Sequence, residues 1–497
     1  MRAFLGVLLL CAAVVSDIYA QNFDWAETVF LAGRTEDASD NEAYVAANDS
    51  NIYVAGKFKD QVCLISEVIQ SKGSYDIFLA DYDADGNLFW VISAGGPGED
   101  IAKAVAVLSN GDVVITGTFE GSVDFGGKTL NASRKNNLFI ACYDESGKLK
   151  WALRGGGISQ LTPVDAGFGL AVDASDNIYV CGAFYGADDK GDYTKPGVCS
   201  FGDYQVQNCS QANNSFAAKL SPEGKVQWVG TIGHFGLGAA YGICADKDGN
   251  AYITGVCSAT FAFGAQVMYS NGVADIYVAK FNSDGMHGWI KQFGGGEKFN
   301  PVNAAKYKDP FEYGVGICTD KTGNLYTAGQ FVDKAKFGSV ELKSKGGADM
   351  FVMKMDYSGE VKWASASGSK NLEWVKGIAL NNVGDIYITG VNSEYGGLDF
   401  DGIGGRTARG IGSVEKFSSQ NGSKLWGAGA GSWGLSLAPY GKEDMVLIGS
   451  FANQVKFNNK ITLDIKGKLK SSEKLTKKIT VKTYEAGYGL FMAKIRD

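Results

Sequence analysis

The sequence predicts an all-β protein, a seven-bladed β-propeller made of four-stranded antiparallel blades. Three observations carry the prediction: a recurring tryptophan phrase, strand patterns bounded by tight turns, and a last repeat that lacks its final strand. The chain has 497 residues with 68 glycines and 7 prolines, which is typical of many short strands joined by turns. Length alone would favour about three domains, but an internal repeat indicates one array of similar sheets.

The phrase ends in a tryptophan that follows a glycine by four residues, as in YDESGKLKW. It recurs about every 60 to 77 residues, a period typical of an array of sheets. The six pairs are Gly86/Trp90, Gly147/Trp151, Gly224/Trp228, Gly285/Trp289, Gly359/Trp363 and Gly422/Trp426. We interpret these tryptophans as structural residues.

One repeat, residues 102–157, predicts four strands. AKAVAVL and DVVITGTF flank the turn SNGD, while LFIACYD and KLKWALRGG flank the turn ESG. Alternating apolar residues bounded by Gly, Asn and Asp are typical of strand hairpins. Four antiparallel strands that recur around a ring make a propeller blade. First strands that open on Gly169, Gly242, Gly316 and Gly377 fit a narrow axis with little room for side chains.

The two ends of the chain predict how the ring closes. The last repeat supplies MVLIGSF and GLFMAKIRD and then stops before a tryptophan strand. Trp25, in DWAETVFLAG, stands near the N-terminus without the phrase ahead of it. We expect this segment to be the fourth strand of the last blade, because an open ring would leave unpaired strand edges. Residues 21–497 are thus expected to form one domain.

Residues 1–20 predict a signal peptide. Arg2 supplies the positive charge, residues 4–15 are apolar, and Ala20 ends a plausible cleavage site. The protein is therefore expected to be exported, to the periplasm, the outer membrane or the exterior. No apolar stretch after residue 20 is long enough for a transmembrane helix.

Charge and cysteine usage exclude several classes of protein. A net charge of −7 argues against nucleic-acid binding, which needs a basic face. With two histidines and no CxxC pair, we expect no zinc or redox site. In an oxidising compartment, Cys199 and Cys209 are the candidate disulfide. Cys244 and Cys318, in equivalent places, are expected to be buried thiols that act as small apolar residues.

Candidate binding residues lie on the face that carries long insertions, at residues 185–214, 295–311 and 464–486, because variable loops on a rigid scaffold commonly bind ligands. Four carboxyl residues precede first strands at the same offset. They either hold calcium at the pore mouth, since carboxylates suit that ion, or cap local backbone amides. These residues are Asp100, Asp165, Glu312 and Glu373.

Two further features belong to that face. Tyr313, Trp374 and Trp433 follow the carboxyl row on consecutive repeats, and they either stack on sugar rings or pack between blades. The segment Lys466–Lys482 is strongly basic on an acidic protein. It is either a solvated hairpin or a contact for an anionic glycan or an acidic partner.

The G-x-x-x-W phrase together with G-N-x-Y-x-x-G resembles the bacterial β-propeller repeat family called SBBP, common in exported proteins of Bacteroidetes. The resemblance covers essentially the whole mature chain and implies the fold. The phrase also resembles the tryptophan-docking motif of quinoprotein dehydrogenases and of outer-membrane assembly propellers. Since no Cys-Cys dipeptide occurs, a quinone cofactor is not expected.

Three functional hypotheses follow. The first is a non-catalytic exported scaffold, a monomer that recognises a protein or glycan through its insertion-bearing face. The second is a glycosidase or lyase that uses carboxylates on that face. The third is a component of a cell-envelope assembly. The sequence favours the first, because no Ser/His/Asp set, phosphate loop or metal motif is present.

Overall fold

A computed structural model describes residues 23–32, 42–64, 67–157, 165–186, 197–209, 213–295, 312–393, 410–429, 433–452, 454–457, 461–464 and 488–495. Throughout these ranges the regular elements are strands, so the predicted all-β class is confirmed. Among the described residues, no helix has the length and apolar character that a membrane span requires. The expected signal peptide, residues 1–20, and the basic segment Lys466–Lys482 lie outside the described residues.

Thirty-six strands occur in the described ranges. The first twelve are β1 (Phe23–Ala32), β2 (Ala43–Ala47), β3 (Asn51–Phe58), β4 (Gln61–Leu64), β5 (Glu67–Gln70), β6 (Asp76–Asp83), β7 (Leu88–Ala94), β8 (Asp100–Val107), β9 (Val113–Asp124), β10 (Thr129–Tyr143), β11 (Leu149–Gly157) and β12 (Ala166–Val172). The next twelve are β13 (Ile178–Tyr185), β14 (Gly197–Phe201), β15 (Tyr204–Cys209), β16 (Asn213–Leu220), β17 (Val226–His234), β18 (Gly238–Ala245), β19 (Ala251–Cys257), β20 (Thr260–Phe263), β21 (Gln266–Tyr269), β22 (Asp275–Phe281), β23 (His287–Phe293) and β24 (Tyr313–Thr319). The last twelve are β25 (Leu325–Phe337), β26 (Val340–Met355), β27 (Val361–Ser367), β28 (Leu372–Leu380), β29 (Ile386–Ser393), β30 (Gly410–Phe417), β31 (Lys424–Gly429), β32 (Trp433–Tyr440), β33 (Asp444–Ala452), β34 (Gln454–Phe457), β35 (Ile461–Asp464) and β36 (Tyr488–Ile495).

Most of these strands fall into antiparallel groups of four, which we call units and number along the chain. Units 1 to 3 are β2-β3-β6-β7, β8-β9-β10-β11 and β12-β13-β16-β17. Units 4 to 7 are β18-β19-β22-β23, β24-β25-β26-β27, β28-β29-β30-β31 and β32-β33-β36-β1. One parallel pairing, between Ala348 and Leu372, joins the sheets of units 5 and 6. The predicted four-stranded repeat is therefore present.

The first strand of each unit contacts the first strand of the next. These contacts run from β2 to β8, β12, β18, β24, β28 and β32, and β32 contacts β2 again. Close approach of these strands explains the small residues in them, since a Cβ on Gly242 would lie 2.7 Å from the Cα of Gly316. Cys244 is buried in the apolar core between units, and Cys318 packs partly buried in the next core. Burial raises the pKa of both thiols.

The N-terminal strand pairs with the C-terminal strand. β1 lies antiparallel to β36, with Trp25 opposite Lys494 and Phe30 opposite Leu490. Since β36 also pairs with β33, β1 is the fourth strand of unit 7. The predicted pairing of the Trp25 segment with the last repeat is therefore observed in the backbone.

Insertions cover the outer edges of the units. The hairpin β4-β5, which belongs to unit 1 in sequence, pairs with β1 of unit 7. The hairpins β14-β15 and β20-β21 pair in the same way with β11 and β17, the fourth strands of the preceding units. Pairing of this kind removes exposed strand edges. The insertion at 185–214, expected to serve binding, thus has a structural role where it is described.

Cys199 and Cys209 lie on the two strands of that second hairpin. Cys199 is buried, and its Cα partner is Val206, whereas Cys209 lies opposite Gly197. The side chain of Cys209 is outside the described residues. The disulfide between them stays a prediction.

The recurring tryptophan joins each unit to the next. The Trp228 indole donates a hydrogen bond to the carbonyl of Ser283 at 3.0 Å, and its ring packs on Gly285. Gly285 has φ of 83°, which favours glycine, and a Cβ there would lie 2.6 Å from the ring. The same hydrogen bonds join Trp90 to Glu145, Trp151 to Pro222 and Trp289 to Tyr357. Glycine and tryptophan recur together because the glycine of one repeat packs on the tryptophan of the preceding one.

Two tryptophans depart from this pattern, since the buried indole N–H groups of Trp363 and Trp426 find no hydrogen-bond partner among the described residues. The turn that receives Trp363 is one residue longer, because Gly422 bonds back to Ser418 over four residues instead of three. Trp426 faces unit 7, whose third and fourth strands, β36 and β1, lie at opposite ends of the chain. No turn of this kind joins them, so Trp426 has no carbonyl acceptor of the usual kind within the described residues.

Candidate functional site

A backbone irregularity directs one residue per unit out of the strand ladder. In six first strands the register skips a single residue, as at Tyr241 between Ala240 and Gly242. Such a bulge re-aims a side chain and is common beside functional sites. The skipped residues are Lys103, Phe168, Tyr241, Val315, Lys376 and Leu435. One backbone position therefore carries very different side chains around the first strands.

Charged side chains from units 1, 2 and 6 meet at this level. The carboxylate of Glu42, just before β2, lies 3.4 Å from the ammonium of Lys103 and 3.9 Å from that of Lys57. Burial alone would raise the pKa of Glu42, but Lys103, Lys57 and Lys376 together lower it. Burial lowers the pKa of Lys376, which Glu42 partly offsets. Three ammonium groups thus act on one carboxylate, which makes this part of an acidic protein electropositive.

Aromatic side chains from units 3 to 5 lie next to this charged group. The ammonium of Lys103 lies 5.8 Å from the Phe168 ring centroid. Phe168 and Tyr241 are 5.3 Å apart between centroids, and Tyr241 and Tyr313 are 5.9 Å apart. We call Glu42, Lys57, Lys103 and Lys376 together with these three aromatic residues the axial site. It is charged on one side and aromatic on the other.

The four predicted carboxyl residues are buried beside this site and bind backbone amides. Asp100 accepts hydrogen bonds from the N–H groups of Gly96 at 2.8 Å and Glu120 at 3.3 Å. The corresponding amide donors are Gly157 and Tyr185 to Asp165, Gly295 and Val332 to Glu312, and Ser369 to Glu373. The geometry therefore favours the capping role over calcium binding. Among the described residues, no group of three His, Cys, Asp or Glu side chains is placed to hold a metal ion.

Carboxyl groups also face one another at the boundaries between units. Burial, with a smaller contribution from Asp76, raises the pKa of Asp100 to about 7. Burial likewise raises the pKa of Glu312 to about 8, and Asp275 contributes. A Cβ on Gly294 would lie 2.4 Å from Glu312 Oε2 and 3.0 Å from Asp275 Oδ1. The glycines that follow the tryptophan strand therefore leave room for these carboxyl groups.

The aromatic row was expected either to stack on sugar rings or to pack between blades. Trp374 is 1% exposed, so its ring packs inside the protein and is not available to stack on a sugar. Tyr313 is partly exposed and belongs to the axial site. The Trp433 side chain lies outside the described residues.

Phe168, Tyr241 and the two lysines Lys103 and Lys376 were missed by the sequence analysis. The available signal was their position three residues after the carboxyl row, most often directly before a glycine. That position reads as part of a regular strand until the bulge is seen. Ladder register is a property of two paired strands, which explains why the single-strand pattern did not reveal it.

No family model matches the chain. An uncharacterized WD repeat-containing protein of Acanthamoeba polyphaga mimivirus is 24% identical over 236 residues, and the match covers 42% of this chain and 17% of the viral protein. WD repeats are propeller blades of four strands. The similarity therefore agrees with a β-propeller repeat architecture.

Two solved structures are similar at low identity. Sqt1 of Saccharomyces cerevisiae is 8% identical with a TM-score of 0.39, and the match covers 94% of this chain and 98% of Sqt1. A protein of unknown function from Bacteroides caccae is 10% identical with a TM-score of 0.31, covering 68% of this chain and 83% of that protein. Both TM-scores are below 0.5, so neither structure bears on what this chain binds.

Proposed function

We propose that the seven units form one closed β-propeller, exported from the cell, that binds a glycan or protein without catalysis through its insertion-bearing face. The contacts of the first strands around all seven units and the pairing of β1 with β36 support closure. The resemblance to SBBP repeats supports export and membership of a propeller family.

The axial site carries the binding proposal. Its aromatic side, Phe168, Tyr241 and Tyr313, offers faces on which sugar rings stack, while Lys103 and Lys376 attract negative charge. An acidic glycan has both features in one molecule. The glycosidase hypothesis receives less support, because Asp100 and Glu312 are engaged with backbone amides.

Calorimetric titration with a uronic-acid oligosaccharide tests this proposal, with an uncharged oligosaccharide of equal length as the comparison ligand. We expect only the acidic ligand to bind. Lys103→Met should weaken binding about tenfold or more, because the nearly buried Lys103 would no longer offset the Glu42 carboxylate, and like charges brought together on binding cost several kcal/mol.

Lys247→Met is the matched control, since that lysine side chain is 76% exposed in a turn of unit 4 and should leave affinity unchanged. Equal binding by wild type and Lys103→Met would contradict the axial site. Release of shortened sugars during the titration would instead favour the glycosidase or lyase hypothesis.

A further inference from the structure

On the opposite face, that of the short turns, four units share a lysine that lies over a tyrosine. The ladder places the two residues directly opposite each other, as in Tyr252 and Lys280. The ammonium lies 5.2–5.7 Å from the ring centroid in units 3 to 6. The four pairs are Tyr179/Lys219, Tyr252/Lys280, Tyr326/Lys354 and Tyr387/Lys416. In each of those units a lysine of the chain itself therefore occupies the space over the tyrosine ring, and we call this space the cradle.

Unit 1 has the same tyrosine but an acid in place of the lysine. Its ladder places Asp81 directly opposite Tyr53. Asp81 is 2% exposed, and its two carboxylate oxygens accept hydrogen bonds from the side-chain amide of Asn51 at 2.9 Å. Burial, the largest effect, raises the pKa of Asp81 to about 6. The cradle of unit 1 therefore has a carboxyl group where units 3 to 6 have an ammonium group.

A cavity of about 650 Å³ opens at this cradle. Tyr53 and Trp90 form an aromatic wall, with 6.4 Å between their ring centroids, and Phe89 beside them is 62% exposed. The Trp90 indole is fixed by its hydrogen bond to the carbonyl of Glu145. The described residues that line the cavity include Asp49, Asp81 and Glu145 but no lysine, arginine or histidine.

We propose that this unit 1 cradle binds a lysine side chain of a partner protein. Tyr53 and Asp81 are 1% and 2% exposed and form the floor of the cavity. The ammonium would lie above this floor, near the edge of Tyr53 and the Asp81 carboxylate, and the aliphatic stem would lie along Trp90. Cations bind aromatic faces in this manner, more strongly when they are shielded from water. The occupant is a lysine because units 3 to 6 hold a lysine side chain in the equivalent place. This site is independent of the axial site and of its ligand.

Binding of Nα-acetyl-lysine amide, followed by nuclear magnetic resonance, tests the proposal. The comparison ligand is the same compound with its ε-amine acetylated, which keeps the stem and removes the charge. We expect binding of the charged compound only, and a loss of about tenfold or more in Asp81→Asn. Equal binding of both compounds, or no binding of either, would overturn the proposal.

Asp81→Lys provides a second, more specific variant. It introduces the residue that units 3 to 6 carry, so the chain should fold, and its own ammonium should fill the cradle and abolish binding. Asp248→Asn, an exposed acid in a turn of unit 4, should bind as wild type does. Unchanged binding by a folded Asp81→Lys protein, or binding of glucosamine in place of the lysine compound, would refute a lysine site.

Discussion

The short-turn face and the axial site differ in how faithfully the repeat is kept. On the turn face, Asp246 accepts hydrogen bonds from Asn250 and Tyr252, and Asp173 and Asp320 do the same in their units. At the axial site one bulged position holds lysine, phenylalanine, tyrosine or valine. The repeated residues contact one another within each unit and fix its turn, whereas the residues at the bulged position vary from unit to unit.

The pKa shifts also distinguish the short-turn face from the four carboxyl residues buried beside the axial site. Burial opposes ionisation of Asp246, but hydrogen bonds from Asn250 and Tyr252 lower its pKa below the ordinary value. Beside the axial site, burial is the largest effect on Glu312 and raises its pKa. The hydrogen-bonded carboxylate of Asp246 therefore stabilises the fold in its ionised form, while Glu312 favours the protonated form. The comparison can be tested by variants in each region.

Deletion of residues 23–32 should have the largest effect. It removes β1, which leaves β36 and the hairpin β4-β5 without their shared neighbour. Because unpaired edges promote association, we expect unfolding or oligomers, measured by circular dichroism and size-exclusion chromatography. A monomeric deletion protein with an unchanged melting temperature would contradict closure by the N-terminal strand.

Trp228→Ala should be the most damaging single substitution on the turn face. Its side chain is buried between units and bonded to Ser283, and truncation of a buried tryptophan costs about 3–5 kcal/mol in unfolding free energy. Urea denaturation measures the loss. A loss below about 1 kcal/mol in unfolding free energy would mean that the packing of Trp228 on the next unit stabilises the fold little.

The contributions of Glu312 and Asp246 to the free energy of unfolding should change with pH in opposite directions. The folded state binds the Glu312 proton more tightly than the unfolded chain does, since the pKa rises from 4.5 to about 8. The free energy of unfolding should therefore fall as pH rises through that interval, and Glu312→Gln should remove part of the fall. Asp246→Asn is the counterpart, because its lowered pKa gives stability above the ordinary 3.8 that is lost as pH falls.

Urea unfolding of wild type and both variants at several pH values between 3 and 9 gives the comparison. Relative to wild type, the free energy of unfolding of Glu312→Gln should rise towards pH 9. That of Asp246→Asn should lie furthest below wild type near neutral pH. Parallel pH profiles for all three proteins would show that these carboxyls titrate as they do in the unfolded chain.

Conservative tryptophan substitutions should give the smallest effect and the sharpest contrast. Trp228→Phe loses a hydrogen bond and should cost about 1 kcal/mol more than Trp363→Phe, whose indole N–H already lacks a partner. Both replacements remove the same ring atoms, so the difference in urea denaturation isolates the hydrogen bond. Equal losses would show that the bond contributes nothing net.

Local patterns were sufficient for most of the fold. Alternation and turn residues predicted the strands, and the unfinished last repeat predicted that the Trp25 segment pairs with β36. The residues of the candidate site were harder to predict from the sequence. For Trp374 the sequence left stacking on a sugar and packing between blades open, and its burial favours packing. The sequence could not decide between them, because burial depends on which neighbouring strand covers a residue.

The sequence by itself determined the repeating unit, because strand period, turn glycines and the spacing of Gly285 to Trp289 are local properties of the chain. The tertiary structure decided what each repeat contacts. It placed Trp228 on the glycine of the following unit, brought Lys103 and Glu42 from different units together, and set Asp81 opposite Tyr53. These arrangements depend on ladder register and on the approach of distant segments, which no single stretch of sequence encodes.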